Sequence, residues 1–173
     1  METFSELYDS LSFLYESEES PSMLVYTYQD SRVRKQLEDN KTYIASYDRA
    51  NYSHYVDLAR TLGLKNCPIF GALSKNSLQI MAEASGIKGQ GKEILQLRIP
   101  KKDLKYTEYY DWTDYMYALD NPKNFKNESG LSVKDLETLL RTQKDSVDYD
   151  LCQVVFDKIE PDWYKNTAQN HNK

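Results

Sequence analysis

The segment KEILQLRIP, residues 92–100, constrains the fold more than any other stretch of the chain. Leu95, Leu97 and Ile99 fall on one side of an extended backbone, and Gln96 and Arg98 on the other. A period of two is the mark of a strand with one buried face, and Pro100 ends it. A strand of this kind needs a sheet. MLVYTYQ (23–29), rich in β-branched and aromatic residues, supplies a partner, and KTYIASY (41–47) reads as another. CPIFGAL (67–73) is a short apolar strand or extended core segment, and LKYTEYY (104–110) a further short strand.

Helical spacing is interleaved with these strands and takes over after residue 111. A short helix over 31–38, capped by Asp30 or Ser31, would bury Val33 and Leu37. In 50–62, Tyr52, Tyr55, Val56, Ala59 and Leu62 follow a 3.6-residue period, with Gly63 as a stop. Leu78, Met81 and Ala82 suit another helix, followed by a glycine-rich connection, SGIKGQGK, without the spacing of a phosphate-binding loop. DWTDYMYALD is expected to form a helix N-capped by Asp111, with Asp114 at the capping-box position and Trp112, Tyr115 and Leu119 facing inward. SVKDLETLLRTQ opens on a second acidic capping box, Ser132 and Asp135, and buries Val133, Leu136, Leu139 and Leu140. A last helix is expected over 147–159, using Tyr149 or Leu151, Val154, Val155 and Ile159. The expected class is therefore α+β: a small mixed or antiparallel sheet packed by several helices, with a helical C-terminal third.

With 173 residues, 40% of them hydrophobic, the chain can bury one proper core. Residues 1–20 read as an acidic N-terminal helix at the periphery, with Phe4, Leu7, Leu11 and Leu14 on one face. Residues 21–165 then form a single domain, and 166–173 a frayed polar tail. The net charge of −5 argues against direct nucleic-acid binding, which normally uses a basic face. Acidic residues concentrate in 1–31, which has no Lys or Arg, and in 145–162. Cys67 and Cys152, too few for a disulfide framework, read as buried thiols. No apolar run approaches the ~18 residues of a membrane span. A cytoplasmic setting is expected.

Metal and catalytic signatures are weak. The two histidines, His54 and His171, do not form a ligand pair, and no GxSxG turn accompanies His54. No metal and no cofactor is expected. The 15 tyrosines stand out instead. Tyrosine joins an apolar body to a polar tip, which suits both cores and binding surfaces. In YTEYYDWTDYMYALDN (106–121), Trp112, Tyr115 and Leu119 would enter the core and leave Tyr109, Tyr110 and Tyr117 nearer the surface.

The succession of YTYQ, a short helix, CPIFGAL, LQLRIP and YTEYYDW resembles the bacterial family catalogued as domain of unknown function 3841. The likeness covers about residues 23–121, and Thr107, Glu108, Tyr109 and Trp112 match the family's aromatic block by type. Thr113 stands where members carry His. The resemblance implies no established reaction.

Two functions compete. The first is a bacterial or phage binding protein, a phage or mobile-element inhibitor that meets a basic nucleic-acid-handling protein partner through Tyr109, Tyr110, Tyr117, Asp145, Asp148 and Asp150. The second is an enzyme resembling ADP-ribosyltransferases, with Tyr26, Tyr43, Tyr47, His54 and Glu108 lining an NAD pocket.

Overall fold

The structure, a computed structural model, describes residues 21–48, 52–84, 91–142 and 152–167. The expected N-terminal helix, the glycines of 85–90, Asp145, Asp148, Asp150 and the tail with His171 lie outside the described residues.

The fold is α+β around a five-stranded sheet of order β3-β1-β2-β5-β4, antiparallel at every pairing. The strands are β1 (Ser22–Gln29), β2 (Ile69–Ala72), β3 (Glu93–Pro100), β4 (Lys105–Glu108) and β5 (Cys152–Phe156). β1 and β3 pair along their full length, from Ser22↔Pro100 to Gln29↔Glu93. Between them the chain forms α1 (Ser31–Glu38), α2 (Tyr52–Leu62), β2 and α3 (Lys75–Ala84). After β4 come α4 (Tyr109–Asp120) and α5 (Val133–Thr142), and α6 (Pro161–Lys165) follows β5.

Helices cover both sheet faces. On one face Met23, Val25, Leu95, Leu97, Ile99, Val154 and Phe156 meet Val33 and Leu37 of α1 and Trp163 and Tyr164 of α6. Arg34 of α1 also reaches Glu93 of β3 at 2.6 Å. On the opposite face, Ala72 and Val155 meet Leu58 and Leu62 of α2, Leu78 and Met81 of α3, Trp112 and Tyr115 of α4, and Leu136 and Leu140 of α5.

The expected last helix is overturned. Residues 152–156 form β5, inserted between β2 and β4 with all five side chains buried. The C-terminal third is therefore only partly helical. With helices on both faces such a strand is apolar on both sides, so alternation vanishes and a short apolar run mimics a helix segment. KTYIASY is not a ladder strand either. It is extended and joins only by a bridge, Tyr43↔Ile159, with backbone bonds of 2.9 Å in each direction.

The helix starts hold one success and one correction. Ser132 and Asp135 form the expected box: the Ser132 N–H donates to Asp135 Oδ2 at 2.9 Å, and the Asp135 N–H to Ser132 Oγ at 3.3 Å. The Ser132 N–H, together with the Ser132 hydroxyl that donates to the same oxygen at 2.9 Å, stabilises the ionised carboxylate and holds Asp135 below its ordinary pKa. The aromatic helix, however, is capped three residues earlier than expected. Its N-cap is Glu108, which accepts from the N–H groups of Tyr110 (3.1 Å) and Asp111 (2.9 Å). Asp114 is left to accept from Asn127 at 3.0 Å. In α2, Leu58 is fully buried, whereas Tyr52, expected on the inner stripe, is exposed. Gly63, at φ +72°, ends that helix as expected.

Gly71 marks a close approach of β2 to β1. A Cβ there would sit 2.7 Å from Val25 Cγ1 and 2.9 Å from the Tyr26 carbonyl oxygen. The second neighbour is backbone and cannot rotate away. Gly71→Ala is expected to destabilise the fold by about 1–3 kcal/mol through overpacking. Urea denaturation checks this, and an unchanged midpoint would contradict the close approach.

Candidate functional site

β1 and β2 are in register at Tyr26↔Ala72. Beyond that pair a side chain supplies the link: the Thr27 hydroxyl donates to the Phe70 carbonyl at 2.7 Å, and Gln29 Nε2 donates to Thr27 Oγ1 at 3.1 Å. The helices leave a cavity of about 240 Å³ over these strand ends. Tyr28 and Gln29 of β1, Phe70 and Gly71 of β2 and Gln153 of β5 contribute its sheet wall. Tyr55 of α2, Leu78, Met81 and Ala82 of α3, and Tyr109 at the start of α4 contribute the helical wall. Ser46, Asp48 and Lys92, all exposed, mark its opening to solvent.

Local chemistry fixes these walls. α3 starts at a serine cap, where the Ser77 N–H donates to Ser74 Oγ at 3.0 Å and places Leu78 and Met81 over the sheet. Tyr55, Phe70 and Trp112 form a ring cluster, with centroids 5.3 Å apart for Tyr55–Phe70 and for Phe70–Trp112. Trp112 extends it to Tyr115 at 6.3 Å, whose hydroxyl lies 3.2 Å from that of Thr61. A wall of mutually packed rings is rigid, because each ring blocks the rotation of the next. Burial, more than the nearby Cys67 and Asp48, raises the Tyr55 pKa, so the phenol stays neutral.

The residues expected on a recognition surface divide. Tyr110 and Tyr117 are 61% and 71% exposed. They are seven residues apart and share the outer face of α4. Tyr109, expected nearer the surface, is buried. Because the helix starts at residue 109, Tyr109 stands three residues before Trp112 and shares its inner face.

The expected NAD pocket residues are dispersed. Tyr26 lies beneath the Lys75 ammonium, 6.0 Å from its ring centroid. Tyr43 packs against the core of the opposite sheet face. Tyr47 meets Tyr52 edge-on at 5.3 Å. His54 Nε2 lies 2.7 Å from Asp120 Oδ1, tying α2 to the end of α4. Glu108 caps α4, and its partial burial raises its pKa against the opposing effect of the two backbone N–H groups. None of the five lines the cavity. Among the described residues there is no cluster of His, Cys, Asp or Glu suited to a metal.

The sequence reading did not single out Tyr28, Tyr55, Phe70 or Gln153 as one site. One signal was available. Gln153 interrupts the otherwise apolar run CQVVF, and a polar residue in a strand buried on both faces asks for a partner. Comparison with protein families, curated proteins and solved structures finds no match.

Both thiols are buried, Cys67 beside the cavity and Cys152 in the core of the opposite sheet face, and burial disarms both. Cys67 lines the cavity and has a raised pKa. Cys152 is pushed up to about 12 by burial. At pH 8 a group with that value is ionised in about one molecule in ten thousand, and the thiolate is the reactive form. Native protein is expected to leave Cys152 unlabelled by a thiol-disulfide reagent at pH 8 and to expose it on denaturation. Rapid native labelling at Cys152, located by peptide mass, would contradict the buried position of β5.

Proposed function

We propose that the protein is a small acidic binding protein that engages a basic partner protein through tyrosine anchors and carboxylates, without catalytic turnover. One observation carries the reading: Tyr110 and Tyr117 stand on the outer face of a helix that contains no Lys or Arg. Aromatic rings held on a helix give large contact area for little lost side-chain entropy, which is how interface anchors work. Asp111, Asp114 and Asp120 belong to the same helix, so its charge is uniformly negative. The acidic stretch with Asp145, Asp148 and Asp150 adds to this charge.

The finer reading is an inhibitor, of bacterial or phage origin and acting in the cytoplasm, whose carboxylates take the place of nucleic-acid phosphates in the groove of a nucleic-acid-handling protein. Among the described residues, no helix is long and apolar enough to cross a membrane. The resemblance to domain of unknown function 3841 is kept as a proposed kinship without a reaction. An ADP-ribosyltransferase-like enzyme is the weaker reading, because Tyr26 and Tyr43 belong to opposite sheet faces.

Surface-plasmon kinetics against the partner recovered from host extract test this function. Affinity is expected to fall as salt rises, since the Debye length shrinks from about 10 Å at 0.1 M to about 3 Å at 1 M. Tyr110→Ser with Tyr117→Ser is expected to raise the off-rate at least tenfold. Reversing Asp145, Asp148 and Asp150 to Lys is expected mainly to slow association. Salt-independent binding, unaffected by either set of changes, would sink the proposal.

A further inference from the structure

We infer that the cavity between β1, β2, β5 and the α2–α4 helices is a binding site for a small, uncharged aromatic compound of two fused rings, held by apolar and ring contacts. Size, wall chemistry and charge converge on that class, and none of them uses the outer face of α4.

Protein interiors seldom leave a void much larger than a water molecule. This one measures about 240 Å³ and opens to solvent beside Ser46, Asp48 and Lys92. An apolar protein cavity of about 150 Å³ takes benzene. The present cavity is about 1.6 times larger, and naphthalene exceeds benzene in ring carbons by nearly the same factor. It falls below the range of about 300–1,000 Å³ typical for drug-sized ligands. Two of its lining residues, Ala45 and Ala82, are alanines, and a longer apolar side chain at either would take up the space. The walls are already built. Phe70 is fixed between Tyr55 and Trp112, with ring centroids 5.3 Å from each, and its carbonyl is held by the Thr27 hydroxyl at 2.7 Å. The serine cap of α3 sets Leu78 and Met81 over the sheet. A site built in advance loses little entropy when it is filled.

The lining decides the chemistry. Tyr28 and Phe70 bring rings to the sheet wall, and Tyr55 and Tyr109 bring rings to the helical wall. Aromatic ligands pack on such rings, offset or edge-on, with a gain beyond the area they bury. Met81 adds a thioether, which also favours an aromatic neighbour. An ion is disfavoured. The charged lining residues, Asp48 and Lys92, are opposite in sign and exposed, so each offers an ion only a screened contact. Among the described lining residues no other carries a charge, since burial keeps the Tyr55 phenol and the Cys67 thiol protonated. Nothing inside therefore replaces the water that an ion would lose.

The test titrates naphthalene, benzene, cyclohexane and 2-naphthoate into the full chain and follows each by two-dimensional ¹H–¹⁵N and ¹H–¹³C NMR. Naphthalene is expected to bind saturably, with proton contacts to Tyr55, Phe70 and the Met81 methyl group. Benzene, which leaves part of the space unfilled, is expected to bind about tenfold more weakly. Cyclohexane has no aromatic face, and it is expected to bind more weakly than benzene although water expels it more strongly. 2-Naphthoate is expected to bind about tenfold or more below naphthalene, because its carboxylate is left without a buried partner. Ala82→Leu is expected to weaken naphthalene binding by about tenfold or more through steric exclusion, while holding or raising the melting temperature because it fills existing space. Ala45→Leu repeats the blockade from the extended segment before α2, should the first variant fail to fold. No saturable binding of naphthalene, benzene or 2-naphthoate binding as tightly as naphthalene, cyclohexane binding as tightly as benzene, unchanged naphthalene affinity in a folded variant, or contacts confined to Tyr110 and Tyr117 would each overturn the inference.

Discussion

The fold depends on a five-residue strand that arrives late in the chain. β5 pairs with β2 from Ile69↔Phe156 to Ala72↔Gln153 and with β4 from Lys105↔Val155 to Glu108↔Cys152. Without it, β4 has no ladder partner and the short β2 keeps only its register with β1. The pairings span large sequence separations, so chain closure must be met before the contacts stabilise anything. The same strand carries Val154 and Phe156 into one core and Val155 into the other. It therefore joins the two hydrophobic layers.

The aromatic block after β4 follows from that placement. Thr107 is held against β5 by pairing and by its own hydroxyl bond to the Gln153 carbonyl. One residue later Glu108 turns the strand into a helix by accepting two backbone N–H bonds. That start point sets the phase of every ring in α4. Tyr109, Trp112 and Tyr115 go inward to build the cavity wall and core; Tyr110 and Tyr117 go outward. One helix thus presents two faces, an inner one that walls the cavity and an outer one that carries Tyr110 and Tyr117.

The parts of this fold legible in the sequence were those with one side more deeply buried than the other. β1 and β3 alternate because their two sides differ, and α1 shows Val33 and Leu37 because the remainder of that helix is polar. The Ser132–Asp135 box was visible because capping is local chemistry. β5 was not visible. Buried on both sides, it has no contrast to display, and Val154, Val155 and Ile159 fit a helical spacing equally well. The start of α4 was misplaced because Glu108 and Asp111 can both cap, and only the end of β4 decides between them. Tyr110 and Tyr117 were legible as outward residues, but only in a group with Tyr109, which the earlier start of α4 turns inward. The cavity was not, since Tyr28, Tyr55, Phe70 and Gln153 come from four elements that only the sheet order brings together.

Native-state hydrogen exchange reads the role of β5 most directly. If this strand closes the sheet, its inner amides, Gln153 to Val155, exchange only through global unfolding. They should share the slowest rate in the protein with the central amides of β1, and their opening free energy should equal that from denaturant unfolding. A helix in that stretch, or a strand docked loosely at an edge, would exchange by local fraying. Amides of 153–155 that exchange orders of magnitude faster than those of β1, while the remaining core stays protected, would contradict the account.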